Sequence, residues 1–216
     1  MYDAAWLNEL LIKCKEEGVI CIADEVMTGF GRTGKLFASE YCEMKPDIIC
    51  LSKGLTGGTM ALGVTACTQK IYDAFVSDEK RKTFFHGHSF TANPLACTAA
   101  LASLDLLQKS SCGQQREMIS NMNSRFLTLL TTQHAPLTKN HRQLGTILAF
   151  EIDNGNDGYL NNISALVTQK SLERGVYLRP LGNTLYIMPP YCITKDQLEE
   201  VYRVIEGVLE EVKGET

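Results

Sequence analysis

The chain has 216 residues, 44% hydrophobic and 21% charged, which is ordinary globular composition with enough apolar side chain to bury a core. A formal charge of −4 and a sequence pI near 5.6 exclude a broad basic surface for nucleic acid or anionic lipid, so a small anionic ligand would need local donors. No apolar stretch approaches the roughly 20 residues of a membrane helix, and eight cysteines with no CxxC pair and no signal peptide read as free thiols of a cytoplasmic protein.

Asp3 is a suitable cap for a first helix over 4 to 17, where Leu7, Leu10, Leu11 and Cys14 recur at helical spacing and mark a face packed on a sheet. Residues 18 to 23, GVICIA, form a short β-branched run that suits a strand buried on both faces of a parallel sheet, with Asp24 emerging at its carboxyl end. The glycine-rich MTGFGRTG that follows is by itself a plain turn or a weak phosphate signal. DIICL at 47 to 51 is a second such strand and delivers Ser52, Lys53 and Gly54 to the same edge, where open α/β sheets gather their ligands. Taken singly, Asp24 reads as a strand-end helix cap and Lys53 as a solvated lysine. Taken together, they supply a carboxylate to keep a ring nitrogen protonated and an amine to bond an aldehyde carbon, the two groups that a pyridoxal phosphate site needs.

LGVTACTQ at 62 to 69 reads as another buried strand of undecided direction. Asn93-Pro94 opens a helix through residue 108, and a second helix covers 111 to 132. A hinge is expected in 133 to 143, dividing the chain into parts 1–132 and 133–216. LGTILAFEI at 144 to 152 begins a smaller α/β unit with a helix near 160 to 174, short strands at 176 to 179 and 184 to 188, and a closing helix from 195. Thr194 and Gln197 form a capping box for that last helix, whose Leu198, Val201, Val204, Ile205, Val208 and Leu209 make a core stripe. His86 and His88 lack the further ligands of a zinc site, and no metal is expected; His134 and His141 read as exposed loop residues.

The order ADEV, TGFGRTG, LSKGLTGG, with Lys53 placed 53 − 24 = 29 positions after Asp24, resembles the class III aminotransferases of fold type I. HGHSFTANPLACTAALASL at 86 to 104 and LRPLGNTLYIMPPYCIT at 178 to 194 extend the likeness over nearly the whole chain. The resemblance implies an α/β fold, part of the large-domain sheet of a pyridoxal 5′-phosphate transferase followed by a small C-terminal α/β domain. It assigns Lys53 and Asp24 to catalysis, Val26 to one face of the cofactor ring, and Ser89 to the cofactor phosphate across the interface of a homodimer. Arg179, Tyr186 and Gly54 fall at substrate-binding positions, with Tyr191 beside them.

Three details are similar to the branch of that family acting in biotin synthesis, which moves the amino group of S-adenosylmethionine to 8-amino-7-oxononanoate: Met27 in place of a glutamine after DEV, the HG-x-[ST]-F motif, and RP-x-G-x₃-Y-x-MPPY. His88 departs from a common proline, which would alter the backbone near Ser89. Another ω-amino acid aminotransferase, an aminomutase, or a non-catalytic piece serving in assembly remains open. The Gly/Ser-rich phosphate turn and ring-stacking aromatic of fold type I enzymes come from an N-terminal half not found here, so the chain is expected to be a C-terminal fragment, inactive alone.

Overall fold

In the computed structural model, which describes residues 1–153, 155 and 163–215, the chain divides into two units, Met1–Lys109 and Ser110–Thr216. In the first, Asp3 caps helix α1 (Ala4–Glu16) by accepting from the Ala5 amide at 2.8 Å. Gly18, at φ 69°, ends it. The Asp47 carboxylate then fastens the chain leading to the sheet, accepting from the Cys21 amide at 2.8 Å and from Lys15. The Cys21 amide and the Lys15 ammonium together hold the Asp47 carboxyl below the usual carboxylate range.

Strand β1 (Ile22–Asp24) runs parallel to β2 (Ile48–Leu51), with Asp24 opposite Cys50. β3 (Val64–Cys67) pairs antiparallel on the far side of β2, which settles the direction that its sequence leaves open. Helix α2 (Gln69–Asp73) follows, and α3 (Pro94–Gln108) starts at Asn93, whose side chain accepts from the Leu95 amide.

The expected burial of this sheet is not found. Every residue of β3 is exposed, Ile22 of β1 is 63% exposed, and no residue of α1 is fully buried. An apolar run reports that a strand needs cover, not which element supplies it. With only three short strands in this sheet, much of the unit's apolar surface, including Trp6 and Phe85, faces outward.

The second unit is better filled. Strands β4 (Thr138–Leu144), β5 (Ile147–Ile152) and β6 (Thr184–Ile187) form an antiparallel sheet in that order. Gly145, at φ 57°, lets the chain reverse between β4 and β5 over two residues. Leu148, Phe150 and Ile152 of β5 and Leu185 and Ile187 of β6 face a core shared with helices α4 (Ser110–Gln133), α5 (Ile163–Leu172) and α6 (Lys195–Glu215). Each such side chain contributes about 1.5–3 kcal/mol of burial. The Thr194–Gln197 capping box forms in both directions, at 2.9 and 3.2 Å.

The compact units divide at 109/110, and Ile119, Met122, Phe126 and Leu130 of α4 belong to the second core. Other local expectations are corrected here. The supposed hinge is largely strand β4, and residues 176 to 179 form no strand, although Leu178 is buried. His134 is buried at the end of α4, within 3.8 Å of Glu206 and 3.5 Å of Glu210, and His141 lies in β4 beside Phe150. Part of the helix expected near 160 to 174 lies outside the described residues.

Burial pushes the His141 imidazole below its ordinary value. Its neutral form is therefore favoured by folding, and the contribution is present above the ordinary value of about 6.5 and lost as pH falls through the lower folded value. The urea midpoint of the second unit's unfolding is expected to drop as pH falls below about 6.5, and His141→Asn to flatten that drop. Identical pH profiles for the two proteins would remove His141 as the cause.

Candidate active site

Asp24 and Lys53 reach the same edge of the first sheet because β1 and β2 are parallel neighbours and each residue stands at or just past a carboxyl end. The Glu25 amide donates to the Cys50 carbonyl at 2.9 Å, carrying the pairing one residue beyond Asp24. Asp24 is exposed, and its Oδ1 accepts from the Val26 amide at 3.0 Å, a local turn that fixes the carboxylate's direction. Val26 is half-buried beside it.

Lys53 is exposed and begins a 3₁₀ turn, Lys53–Thr56. Its backbone sits at φ 42°, a left-handed conformation unusual for a residue with a side chain. The turn is tied on several sides. Gly57 and Gly58 amides donate to the Gly54 and Lys53 carbonyls at 3.1 and 3.2 Å, Ser103 Oγ donates to the Gly54 carbonyl at 3.2 Å, and Ser52 Oγ donates to Leu62 at 2.7 Å. Gly54 itself lies against Phe30, where an added Cβ would stand 3.0 Å from Cδ2. A free amine and a free carboxylate thus share one sheet edge; among the described residues neither is held in an ion pair.

Ser89 is exposed in a turn organised by His88: the Phe90 amide donates to His88 Nδ1 at 3.1 Å, and the His88 amide donates to Thr91 Oγ1 at 3.0 Å. The His88 side chain thus caps this turn by accepting at Nδ1. Among the described residues no group of three His, Cys, Asp or Glu converges as metal ligands.

The remaining expected site residues lie in the second unit. Arg179 is exposed between buried Leu178 and Pro180, and Tyr186 is half-buried on β6. The antiparallel bridge between Leu181 and Thr184 places them on the two arms of one turn, each two residues out from the bridge. Tyr191 packs partly into the core, with the Arg116 guanidinium 5.9 Å from its ring centre. Sequence reasoning missed Phe30 and Ser103 as neighbours of the Lys53 turn, and it missed Glu25, whose only sign was a second carboxylate directly after Asp24.

Residues 1–209 match the family model described as aminotransferase class-III. An adenosylmethionine-8-amino-7-oxononanoate aminotransferase of Synechococcus elongatus is 46% identical over 96% of this chain and 48% of its own length, and one of Helicobacter pylori is 37% identical over 99% and 49%. The crystal structure of such an enzyme from Methanocaldococcus jannaschii superposes with a TM-score of 0.86 at 33% identity, covering 97% of this chain and 50% of that one. The chain spans about half the length of the curated relatives it matches.

Proposed function

The chain belongs to the class III aminotransferases, and from that premise we propose that it supplies the lysine- and carboxylate-bearing half of an enzyme that moves the amino group of S-adenosylmethionine to 8-amino-7-oxononanoate, with pyridoxal 5′-phosphate as cofactor. The observation that carries this reading is the placement of Asp24 and Lys53 at the carboxyl ends of adjacent parallel strands. The names of the relatives and RPLGNTLYIMPPY at 179 to 191 support the narrower substrate pair.

When bound, the cofactor supplies an electron sink for charge developing at the amino-bearing carbon. Asp24, exposed at the sheet edge, would hold a proton on the ring nitrogen and so keep that sink effective. The Lys53 amine would first anchor the cofactor and, once displaced by an amino donor, carry the proton to and from the reacting carbon. Val26 would line one ring face. Ser89 would bind the phosphate of a second copy in a homodimer, and the exposed apolar faces of the first unit would be covered by the rest of the enzyme.

Arg179 would offer a planar fork to the far carboxylate of the nonanoate chain, with Tyr186 on the other arm of the same turn. Arg179→Ala in the complete enzyme should raise KM for the oxo acid by about 10- to 150-fold while leaving the donor's KM nearly unchanged, because a charge-assisted contact worth about 1.5–3 kcal/mol is lost in one half-reaction only. Equal effects on both substrates would remove Arg179 from that role. The substrate pair itself is tested by growth without biotin of a bacterial strain lacking this step and given the full-length gene. Growth is expected; well-expressed, cofactor-loaded protein that gives none yet turns over ornithine or γ-aminobutyrate would leave only the family.

A further inference from the structure

Glu25 is 2% exposed, the one carboxylate among the described residues to be so deeply buried. Its neighbour Asp24 points to solvent, so the two adjacent acids serve opposite faces. Glu25 Oε1 accepts from the Ser39 amide at 2.7 Å, and Oε2 accepts from the Ala38 amide at 3.0 Å and from the Thr28 hydroxyl. These donors come from both arms of the loop over residues 28 to 39, which the carboxylate therefore pins shut. Burying a charge is costly unless its acceptors are well used, and here both oxygens are engaged.

The closed loop bears on the Lys53 turn. Phe30, itself at φ 62° and 9% exposed, is braced edge-on by Phe37 at 5.7 Å, immediately before Ala38. On its other side Phe30 covers Gly54, whose missing Cβ is the space that it uses: a methyl there would meet Phe30 Cδ2 at 3.0 Å and Cβ at 3.1 Å. Gly29 is similarly close to the Glu25 carbonyl, at 2.8 Å for an added Cβ, so the loop folds tightly back on the residue that pins it.

We propose that Glu25 is a positioning residue for Lys53: by closing the 28–39 loop it keeps Phe30 on Gly54 and so holds the Lys53 backbone in its left-handed conformation. The value of that placement to catalysis rests on the function proposed above, whereas the mechanical link does not.

Amide hydrogen exchange on the full chain tests the link, comparing Glu25→Gln, Phe30→Ala and Lys35→Ala with the parent. Glu25→Gln keeps the shape but turns an amide N–H toward a backbone donor, so exchange at Ala38 and Ser39 should quicken by about tenfold or more. The decisive amides are Gly57 and Gly58, which close the Lys53 turn. They should quicken by about fivefold or more in both Glu25→Gln and Phe30→Ala, a response that an anchor confined to its own loop would not give. Lys35→Ala removes a bond to the Glu40 carbonyl and a contact over the Tyr41 ring, and should leave Gly57 and Gly58 at parent rates. Parent rates at Gly57 and Gly58 in Glu25→Gln, with Ala38 and Ser39 accelerated, would overturn the proposal. Should Glu25→Gln fail to fold, parent rates there in Phe30→Ala would overturn it equally. A complete enzyme whose cofactor is anchored on a lysine other than Lys53, alongside the expected exchange response, would instead remove the functional reading and leave the coupling standing.

Discussion

Lys53→Ala in the complete aminotransferase is expected to lower turnover by about 10⁴-fold or more, the equivalent of about 5.4 kcal/mol at the transition state. The size follows from the two duties proposed for Lys53, covalent anchoring of the cofactor and proton transfer at the reacting carbon, which would be lost at once. Three other lysines of the first unit are engaged elsewhere: Lys15 with Asp47, Lys35 with the Glu40 carbonyl, and Lys45 with the Cys42 carbonyl. None of these is positioned after the carboxyl end of β2. A small primary amine added to Lys53→Ala should restore part of the proton-transfer rate, which separates a missing base from a collapsed site. A variant retaining a tenth or more of the parent turnover would contradict the assignment.

Asp24→Asn is expected to slow turnover by about 10³-fold, close to 4 kcal/mol, while cofactor still binds. Asparagine can keep the bond from the Val26 amide through its carbonyl oxygen, so the local turn survives and only the charge is removed. Without that charge the ring nitrogen of bound cofactor would lose the partner proposed to favour its protonated form, and the cofactor would withdraw electrons less effectively. Steady-state kinetics together with the absorbance of bound cofactor separate this outcome from simple loss of binding. Near-normal kcat with full occupancy would take Asp24 out of the mechanism.

Asp24 and Lys53 were legible in the sequence because both end apolar β-branched runs, and that edge position is what the structure gives them. Helices α3, α4 and α6 were legible for related reasons: caps and apolar periodicity are local signals, and Asn93, Pro94, Thr194 and Gln197 act where they stand. Glu25 was not legible, since a DE pair does not disclose which acid turns inward until the partners at Ala38 and Ser39 are in place. Strand β4 escaped notice because TKNHRQL is polar and lies at a sheet edge, where its outer side needs no apolar pattern. His134 was misjudged by its polar neighbours; its surroundings are set by Glu206 and Glu210, more than seventy positions later in the chain.

The central claim is that Lys53 anchors the cofactor at the edge it shares with Asp24. Its most direct test is reduction of the pyridoxal phosphate-loaded, complete enzyme with borohydride, followed by peptide mapping. The account predicts one stoichiometric pyridoxyl group on the peptide that contains Lys53. A label on Lys13, Lys70 or any other lysine, with Lys53 unmodified, would contradict it.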